Sequence, residues 1–204
     1  MNRQHNSEQI RNRIIDEAAR LIVTYGYEGI AMREIAEAAG LSKAGLYHHF
    51  RDKEDLLVAV LTNWADEMAA LVATAECKPD TRSQLTALVR GLFAQAPAQR
   101  ALVRLSNHDL PRLSETARTS VERCYANGLI APITAMIRAG IDRGELRPVD
   151  PHVATWLLMG MLYPFFHTEQ ARIGEQGEAI ADLIITTFFD GLAQSTDPTT
   201  AAGK

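Results

Sequence analysis

Apolar residues recur every three or four positions along almost the whole chain, and this spacing is the strongest constraint on its fold. Such a period places the apolar side chains on one face of an α-helix. No stretch alternates apolar and polar residues as a half-buried strand would, and the sequence has no internal repeat. Because 204 residues, 47% of them hydrophobic, are enough to bury a sizeable core, we expect an ordered all-α fold.

Capping residues, glycines and prolines set the expected ends of the helices. Ser7 is a candidate N-cap for the first helix, and Asp150 followed by Pro151 has the pattern of an N-cap with proline at the first helical position. Pro132 is expected to bend a long helix. Residues 152–167 are apolar on nearly every face, which predicts burial on all sides. The expected helices cover residues 8–25, 32–39, 43–50, 53–75, 81–95, 97–109, 111–140, 151–168 and 177–193, and the small, polar tail 194–204 is expected to be disordered.

The net charge does not by itself point to a partner. The chain carries a formal net charge of −4 at pH 7, and its first 55 residues contain eight basic and nine acidic side chains. A protein of this composition that binds a polyanion must collect its positive charge on one local surface.

Cysteine content and hydropathy indicate the compartment. Cys77 and Cys124 have neither the spacing of metal ligands nor the number expected of a disulfide framework. No apolar run is long enough to cross a bilayer, and the polar residues 1–7 lack the apolar core of a signal peptide. We therefore expect a cytoplasmic protein that does not bind a membrane.

Two short helices are expected directly after the first helix. Residues 32–39 form a short amphipathic stretch, Gly40-Leu41-Ser42 interrupts it, and residues 43–50 form another. Ser42 is a good N-cap for the second stretch. Two short helices joined by a three- or four-residue turn with glycine have the geometry of a helix-turn-helix, whose second helix enters the major groove of DNA. Short helix pairs are also common in other all-α proteins, so this spacing alone is not specific.

The second short helix has two distinct faces. Leu46 and Phe50 lie four residues apart and are expected to anchor it to the core. The opposite face combines a cation, a small residue, an aromatic hydroxyl and an imidazole, which can contact phosphates, base edges or thymine methyl groups. These four residues are Lys43, Ala44, Tyr47 and His48. Outside such a motif an aromatic residue followed by two histidines is more often simply solvated, and adjacent helical histidines point about 100° apart, which disfavours a shared metal ion.

Three groups of residues carry a more specific signal. They are Ala18, Leu21, Gly26 and Gly29, then the run IAEAAGLSKAGLYHHF from Ile35 to Phe50, then KEDLL from Lys53 to Leu57. With these residues the stretch 14–57, about a quarter of the chain, resembles the DNA-binding domain of the TetR family of bacterial regulators. The remainder agrees with that family in its size and its all-helical character.

The resemblance implies a role for each residue of the motif. The start of the second short helix would approach bases, and the aromatic and imidazole side chains after it would contact phosphates, bases or both. Lys53 would bind a phosphate at the N-terminus of the next helix, where backbone amides also favour an anion, and Arg33 would lie near the DNA backbone. The full set of expected DNA contacts is Arg33, Ser42, Lys43, Ala44, Tyr47, His48, His49 and Lys53.

The sequence departs from the family pattern at one place. The family has Ser or Thr just before the first short helix, where the hydroxyl caps the helix and touches a phosphate. Here these positions hold Ala31 and Met32. We expect that contact to be lost, together with a cap worth about 1 kcal/mol.

The resemblance also implies a domain organisation and partners. Residues 1–52 would form the helix-turn-helix DNA-binding domain, and residues 53–193 a helical effector-binding and dimerisation domain. Such proteins bind operator DNA as symmetric dimers with recognition helices about 34 Å apart. Because the last two helices are apolar on more than one face, they are expected to pair with their copies in a homodimeric four-helix interface. A tilt of helix 53–75 would then couple effector binding to the spacing of the two DNA-binding domains.

The expected effector is an unidentified small molecule that is largely apolar. A buried helix rich in methionine and aromatic residues suits an adaptable apolar pocket, although each of these residues could instead belong to the core or to the dimer interface. The candidate ligand contacts are His108, Cys124, Tyr125, Trp156, Met159, Tyr163 and Phe166.

These patterns predict a DNA-binding transcriptional regulator, expected to be a dimeric repressor that an effector releases from its operator. The residues alone leave an activator open. The alternative is a helical ligand-binding or scaffolding protein whose N-terminal domain, residues 1–52, no longer binds DNA. The net negative charge of residues 1–55 and the missing helix cap favour that alternative. The sequence has no nucleophile elbow, no phosphate-binding glycine loop and no convincing carboxylate pair, so we expect no enzymatic activity, no cofactor and no metal.

Overall fold

The structure is a computed structural model, and it describes residues 2–96, 99, 102, 110, 113–167 and 173–192. Within these residues the long regular elements are helices, as predicted. They are α1 (Asn2–Tyr25), α2 (Met32–Ala38), α3 (Lys43–His49), α4 (Lys53–Glu76), α5 (Thr81–Ala94), α6 (Glu115–Tyr125), α7 (Ala131–Asp142), α8 (Pro151–His167) and α9 (Ile173–Leu192). The predicted helix 97–109 falls almost wholly outside the described residues, and the predicted disordered tail 194–204 falls entirely outside them.

The contacts divide the chain into two compact units. The first contains residues 1–69 and 95–128, and the second contains residues 70–94 and 129–204. The division falls within α4, so this helix contributes its first 17 residues to the first unit and its last seven to the second. By length and composition alone α4 could cross a membrane, but 44% of its most apolar window is buried inside the fold, as in a core helix.

Helices α1, α2 and α3 enclose a small core in the first unit. Gly26 ends α1 with a φ of 79°, a left-handed conformation that favours glycine, and its N–H donates to the carbonyl of Ile22 at 2.8 Å. The apolar side chains that share one face of each helix point inward. The most deeply buried of them are Ile14, Ala18, Ile22, Ile35, Ala36 and Leu46.

α4 also makes contacts with the chain around α6 inside the first unit. The ring of Trp64 stacks on that of Tyr125, with centroids 5.9 Å apart and planes inclined by 14°. At the start of α4 the carboxylate of Glu54 accepts hydrogen bonds from the backbone N–H and the hydroxyl of Ser114, at 3.1 and 2.6 Å. The beginning of α4 therefore contacts the N-cap of α6, and the middle of α4 contacts the last residue of α6.

In the second unit α5 packs against α7 and α9, and α8 packs against α7. Thr81 is fully buried where α5 meets α7, and a Cβ at Gly140 would lie only 2.4 Å from its hydroxyl oxygen. The Thr81 hydroxyl accepts a hydrogen bond from Arg143 at 2.7 Å. Hydrogen bonds from the Arg143 guanidinium, and then from Thr81, lower the pKa of Glu145 to about 2.

α1 begins at Asn2, six residues before the predicted start. Ser7 lies inside the helix and does not cap it. Residues 2–7 contain no Gly or Pro to stop the helix, and side-chain nitrogens of His5 and Gln9, one turn apart, lie 3.2 Å from each other. A capping residue therefore marks a helix start only where the residues before it resist helix formation.

The long helix predicted over residues 111–140 is interrupted. Its first described α-helical residue is Glu115, with Ser114 as the N-cap, and the π-helical turn Ala126–Ile130 separates α6 from α7. Pro132 has no N–H to donate, and its ring would clash with the carbonyl four residues earlier. The predicted disturbance at Pro132 therefore takes the form of a π turn directly before it.

α8 is buried on one face only, so the prediction of burial on all sides is wrong for the single chain. Val153, Trp156, Leu157 and Tyr163 are 56, 49, 56 and 42% exposed. On α9, Leu183 is 66% exposed. Apolar composition on all faces predicts that both faces will be covered, but it does not say whether the same chain covers them.

Candidate nucleic-acid interface

The turn between α2 and α3 is set by a glycine and a serine. Gly40 has a φ of 68°, and the N–H groups of Gly40 and Leu41 donate to the last carbonyls of α2 at 3.0 and 2.8 Å. These bonds form the Schellman arrangement that commonly ends a helix. The hydroxyl oxygen of Ser42 then accepts a hydrogen bond from the N–H of Gly45 at 3.1 Å. The predicted turn and the predicted N-cap of α3 are confirmed.

The two faces of α3 divide as their spacing predicts. Leu46 and Phe50 are 0 and 1% exposed and anchor the helix to the core. His49 is half-buried at the edge of this contact. The opposite face is exposed and carries Lys43, Ala44, Tyr47 and His48. A short helix held on one side by fully buried side chains presents a rigid polar surface on the other, as insertion into a major groove requires.

The N-terminus of α2 has half of a capping box. Ala31 has no side-chain acceptor, so the expected hydroxyl cap is missing. The carboxylate of Glu34 accepts a hydrogen bond from the Ala31 N–H at 2.7 Å and supplies the reciprocal half. Its negative charge also lies favourably near the positive end of the helix dipole. Glu34 does not replace the missing hydroxyl, because it accepts from a different N–H group and because a carboxylate repels the phosphate that a hydroxyl would bind.

The start of α4 places Lys53 beside an aromatic ring. Its ammonium lies 4.5 Å from the ring centroid of Tyr27, a contact that sequence reasoning missed because it joins separate elements. Asp52 already accepts a hydrogen bond from the backbone N–H of Asp55 at 2.7 Å. One of the free amides at this helix start is therefore occupied, and attraction of a phosphate here depends mainly on the Lys53 charge.

Several acids of this region pair with cations that would otherwise be free. Arg20, Arg33 and Arg51 each lie within 4 Å of a carboxylate one helical turn away, at 2.8, 3.7 and 3.7 Å. The partners are Glu17, Glu37 and Asp55. Within the described residues neither Lys43 nor Lys53 is paired with an acid. Despite the net-acidic composition, two lysines at α3 and at the start of α4 therefore have no acid partner in the described part of the chain.

The two adjacent histidines meet edge to face, with ring centroids 5.4 Å apart. The pKa of His49 is lowered by burial, and further by the nearby positive charges of His48 and Arg11. The guanidinium of Arg11 lies 4.4 Å from the ring centroid of Phe50, which places α1 next to the end of α3. Among the described residues no group of three or more His, Cys, Asp or Glu side chains could hold a metal ion.

The predicted ligand contacts are distributed over both units. In the first unit Cys124 is half-buried and Tyr125 stacks on Trp64. His108 lies outside the described residues. In the second unit Phe166 is buried against Phe93, with centroids 5.6 Å apart.

The other three candidates lie on α8. Met159 is half-buried, whereas Trp156 and Tyr163 lie on the exposed face of the helix. The indole N–H of Trp156 donates to Nε2 of His152 at 3.0 Å. Their exposure fits a surface contact better than a closed pocket, and their assignment to the effector stays a prediction.

The chain matches two family descriptions. Residues 14–60 match bacterial regulatory proteins of the tetR family, and residues 83–176 match the C-terminal domain of AefR-like transcriptional repressors. The two matches include α3 and the first part of α4 in one case, and α5 to α8 in the other.

The chain is also similar to individual proteins of known function. It is 30% identical over 188 residues to the HTH-type transcriptional repressor KstR2 of Rhodococcus jostii (strain RHA1), covering 90% of this chain and 91% of KstR2. It is 28% identical to the HTH-type transcriptional repressor Rv1474c of Mycobacterium tuberculosis, covering 68% of this chain and 88% of that protein. The crystal structure of AibR in complex with isovaleryl coenzyme A and operator DNA matches with a TM-score of 0.74 and 26% identity, covering 88% of this chain and 98% of AibR.

Proposed function

The chain belongs to the TetR family of bacterial transcriptional regulators, and from this membership we propose that it is a homodimeric, cytoplasmic repressor released from its operator by a small molecule. Its relatives KstR2 and Rv1474c are both named repressors, which supports repression over activation. We assign DNA reading to residues 1–52 and effector binding and dimerisation to residues 53–193.

The observation that carries the proposal is the exposed face of α3. Its four polar or small residues project from a helix whose other side is fully buried and whose N-terminus is capped by Ser42. Lys43 and His48 can hydrogen-bond to base edges, and Tyr47 can hydrogen-bond to a phosphate. Lys53 adds, at the start of α4, a cation that has no ion-pair partner among the described residues.

Homodimerisation is supported by the exposed apolar faces of α8 and α9. Large apolar side chains on a monomer surface, when they lie together, mark a surface that binds another molecule. Val153, Trp156 and Leu157 share one exposed face of α8, and Leu183 is exposed on α9. Since operator DNA presents two half-sites, pairing of two copies would bring two α3 helices to it at once.

An effector site within the first unit is supported by an unpaired buried donor. Trp64 is 2% exposed, and its indole N–H has no hydrogen-bond partner among the residues that the structure describes. Leaving such a group unpaired costs about 1–3 kcal/mol, which an oxygen acceptor on a bound molecule would recover. Trp64 lies 11 residues from Lys53 on α4, about 17 Å along the helix axis, so a ligand here could move the phosphate-binding end of that helix. AibR binds isovaleryl coenzyme A, which makes this thioester a reasonable first probe.

The proposal is tested by DNA binding at several salt concentrations. An operator is first selected from a random duplex library, and affinity for it is then compared with that for a scrambled duplex. We expect log K to fall linearly with log salt, because phosphate contacts release counterions. Tyr47→Ala and Lys53→Ala should weaken binding to every sequence, whereas Lys43→Ala and His48→Ala should also change base preference.

The alternative is a ligand-binding protein whose head has lost DNA reading. It would show no preferred DNA sequence, a flat salt dependence, and four alanine variants that bind DNA like the wild type.

The effector assignment is tested with isovaleryl coenzyme A. It should lower the operator affinity of the wild type more than that of Trp64→Phe, since phenylalanine retains the stacking but lacks the N–H. Equal responses of the two proteins would argue against the assignment of Trp64.

A further inference from the structure

We propose that Arg11, in the first half of α1, binds a backbone phosphate of the DNA beside the end of α3. This inference rests on the proposed DNA-binding function and adds to it a contact from a helix outside the helix-turn-helix. The ligand chemistry is a phosphodiester anion.

The position of Arg11 is fixed by an aromatic ring. Its guanidinium lies 4.4 Å from the centroid of the Phe50 ring, and Phe50 is 1% exposed and follows directly after α3. Arg11 itself is exposed. A guanidinium stacked on a ring face keeps its N–H groups directed outward in its own plane, where they can bind a phosphate in a bidentate manner.

Arg11 is also free to take an anion. Within the described part of the chain no carboxylate forms an ion pair with it, whereas Arg20, Arg33 and Arg51 of the same region are all paired. A paired arginine must give up its carboxylate before it binds a phosphate, whereas the residues that the structure describes offer Arg11 no such carboxylate to release.

Arg11 makes the same kind of aromatic contact as the two lysines already assigned to DNA. Lys43 lies 5.8 Å from the ring of Tyr47, and Lys53 lies 4.5 Å from the ring of Tyr27. All three cations rest on an aromatic ring and have no paired acid among the described residues. Arg11 also lies close enough to His49, an expected DNA contact, to disfavour its protonation. Such mutual repulsion in the free protein would be relieved by a phosphate placed between the two groups.

Arg13 provides a matched control. It is exposed, no carboxylate pairs with it in the described residues, and it lies two positions further along the same helix. Two helical residues are separated by about 200° around the axis, so Arg13 points away from Phe50 and from α3. Loss of Arg13 removes the same charge without removing a contact near the recognition helix.

The test measures binding of the full-length protein to its selected operator and to a scrambled duplex of about 30 base pairs, long enough for two half-sites. For Arg11→Ala we expect a three- to ten-fold loss of affinity for both duplexes and a salt slope reduced by about 1, the effect of one lost phosphate contact. Arg11→Lys should keep the slope, since it keeps the charge. Arg13→Ala should leave affinity and slope near those of the wild type.

A purely structural role would give a different result. If Arg11 only packs on Phe50, Arg11→Ala lowers the melting temperature but leaves the salt slope unchanged, and the proposal is overturned. Should Arg11→Ala fail to fold, Arg11→Met takes its place, because it retains an apolar stem over Phe50. Its salt slope should be reduced by the same amount. If the wild type itself binds no DNA, the proposed function fails as a whole, whereas an unchanged slope in a DNA-binding variant refutes the Arg11 contact alone.

Discussion

The exposed face of α3 is polar, whereas the exposed face of α8 is apolar. α3 shows solvent a lysine, a tyrosine and a histidine, and its buried side is filled by its own chain. α8 shows solvent three large apolar residues in its first two turns, Val153, Trp156 and Leu157.

This difference separates two kinds of partner. A polar, partly cationic face is stable in water and gains affinity for a polyanion through hydrogen bonds and counterion release. A broad apolar face gains free energy by leaving water, which favours another protein surface. The same chain therefore has one helix suited to DNA and another suited to a protein surface, which we propose belongs to a second copy of the chain.

The largest effect is expected from charges placed on the apolar face. Leu157→Glu combined with Leu183→Glu should convert the dimer to a monomer, as measured by sedimentation. Operator affinity should then fall by about 100-fold or more, because two half-sites would no longer be bound as one unit. Tyr25→Glu, which changes an apolar residue that is 63% exposed on α1, should leave the oligomeric state unaltered. If the double variant remains dimeric, the exposed apolar residues of α8 and α9 are not the dimer interface.

A smaller effect is expected within the polar face. Lys43→Ala should weaken operator binding by about 10-fold, which corresponds to a base contact of 1–3 kcal/mol. Arg33→Ala should cost about threefold, because Arg33 first has to leave Glu37, 3.7 Å away. Fluorescence anisotropy on the selected operator gives both ratios. An Arg33 effect as large as that of Lys43 would mean that ion pairing does not decide which cations contact DNA.

A gain is expected at the incomplete cap of α2. Ala31→Ser should supply the missing hydroxyl and raise the free energy of unfolding by about 1 kcal/mol. Operator affinity should rise a few-fold, since a hydroxyl at this position can also donate to a phosphate. Ala38→Ser, at the other end of α2, serves as a control that adds the same hydroxyl without a cap. Urea denaturation measures the free energy of unfolding of both variants. Equal changes in Ala31→Ser and Ala38→Ser would count against the capping argument.

The smallest effect is expected from pH. Burial and neighbouring positive charges lower the pKa of His49, so its imidazole is mainly neutral in the free protein at pH 7. A bound phosphate stabilises the imidazolium and raises that pKa, so binding takes up protons and affinity rises as the pH falls. We expect binding about threefold tighter at pH 6 than at pH 8, and a weaker dependence in His49→Gln. An unchanged pH profile in that variant would exclude His49 as the titrating group.

The sequence by itself determined the features that depend on a few adjacent residues. Gly40 and Ser42 end one short helix and begin the next, since a left-handed residue and a capping hydroxyl act within a single turn. Asp150 was likewise predictable as an N-cap, and its carboxylate accepts hydrogen bonds from the N–H groups of His152 and Val153 at 2.7 and 3.2 Å. The two faces of α3 followed from helical periodicity, because one of them is apolar and the other is not.

Only the tertiary structure decided the features that join distant parts of the chain. Periodicity could not choose the buried face of α8, since both faces are apolar and the choice depends on which other helices pack against it. It could not place Arg11 over Phe50, or Lys53 over Tyr27, because these contacts depend on how separate helices meet. Local chemistry sets where a helix starts and stops, whereas packing between helices places the Arg11 guanidinium over Phe50 and the Lys53 ammonium over Tyr27.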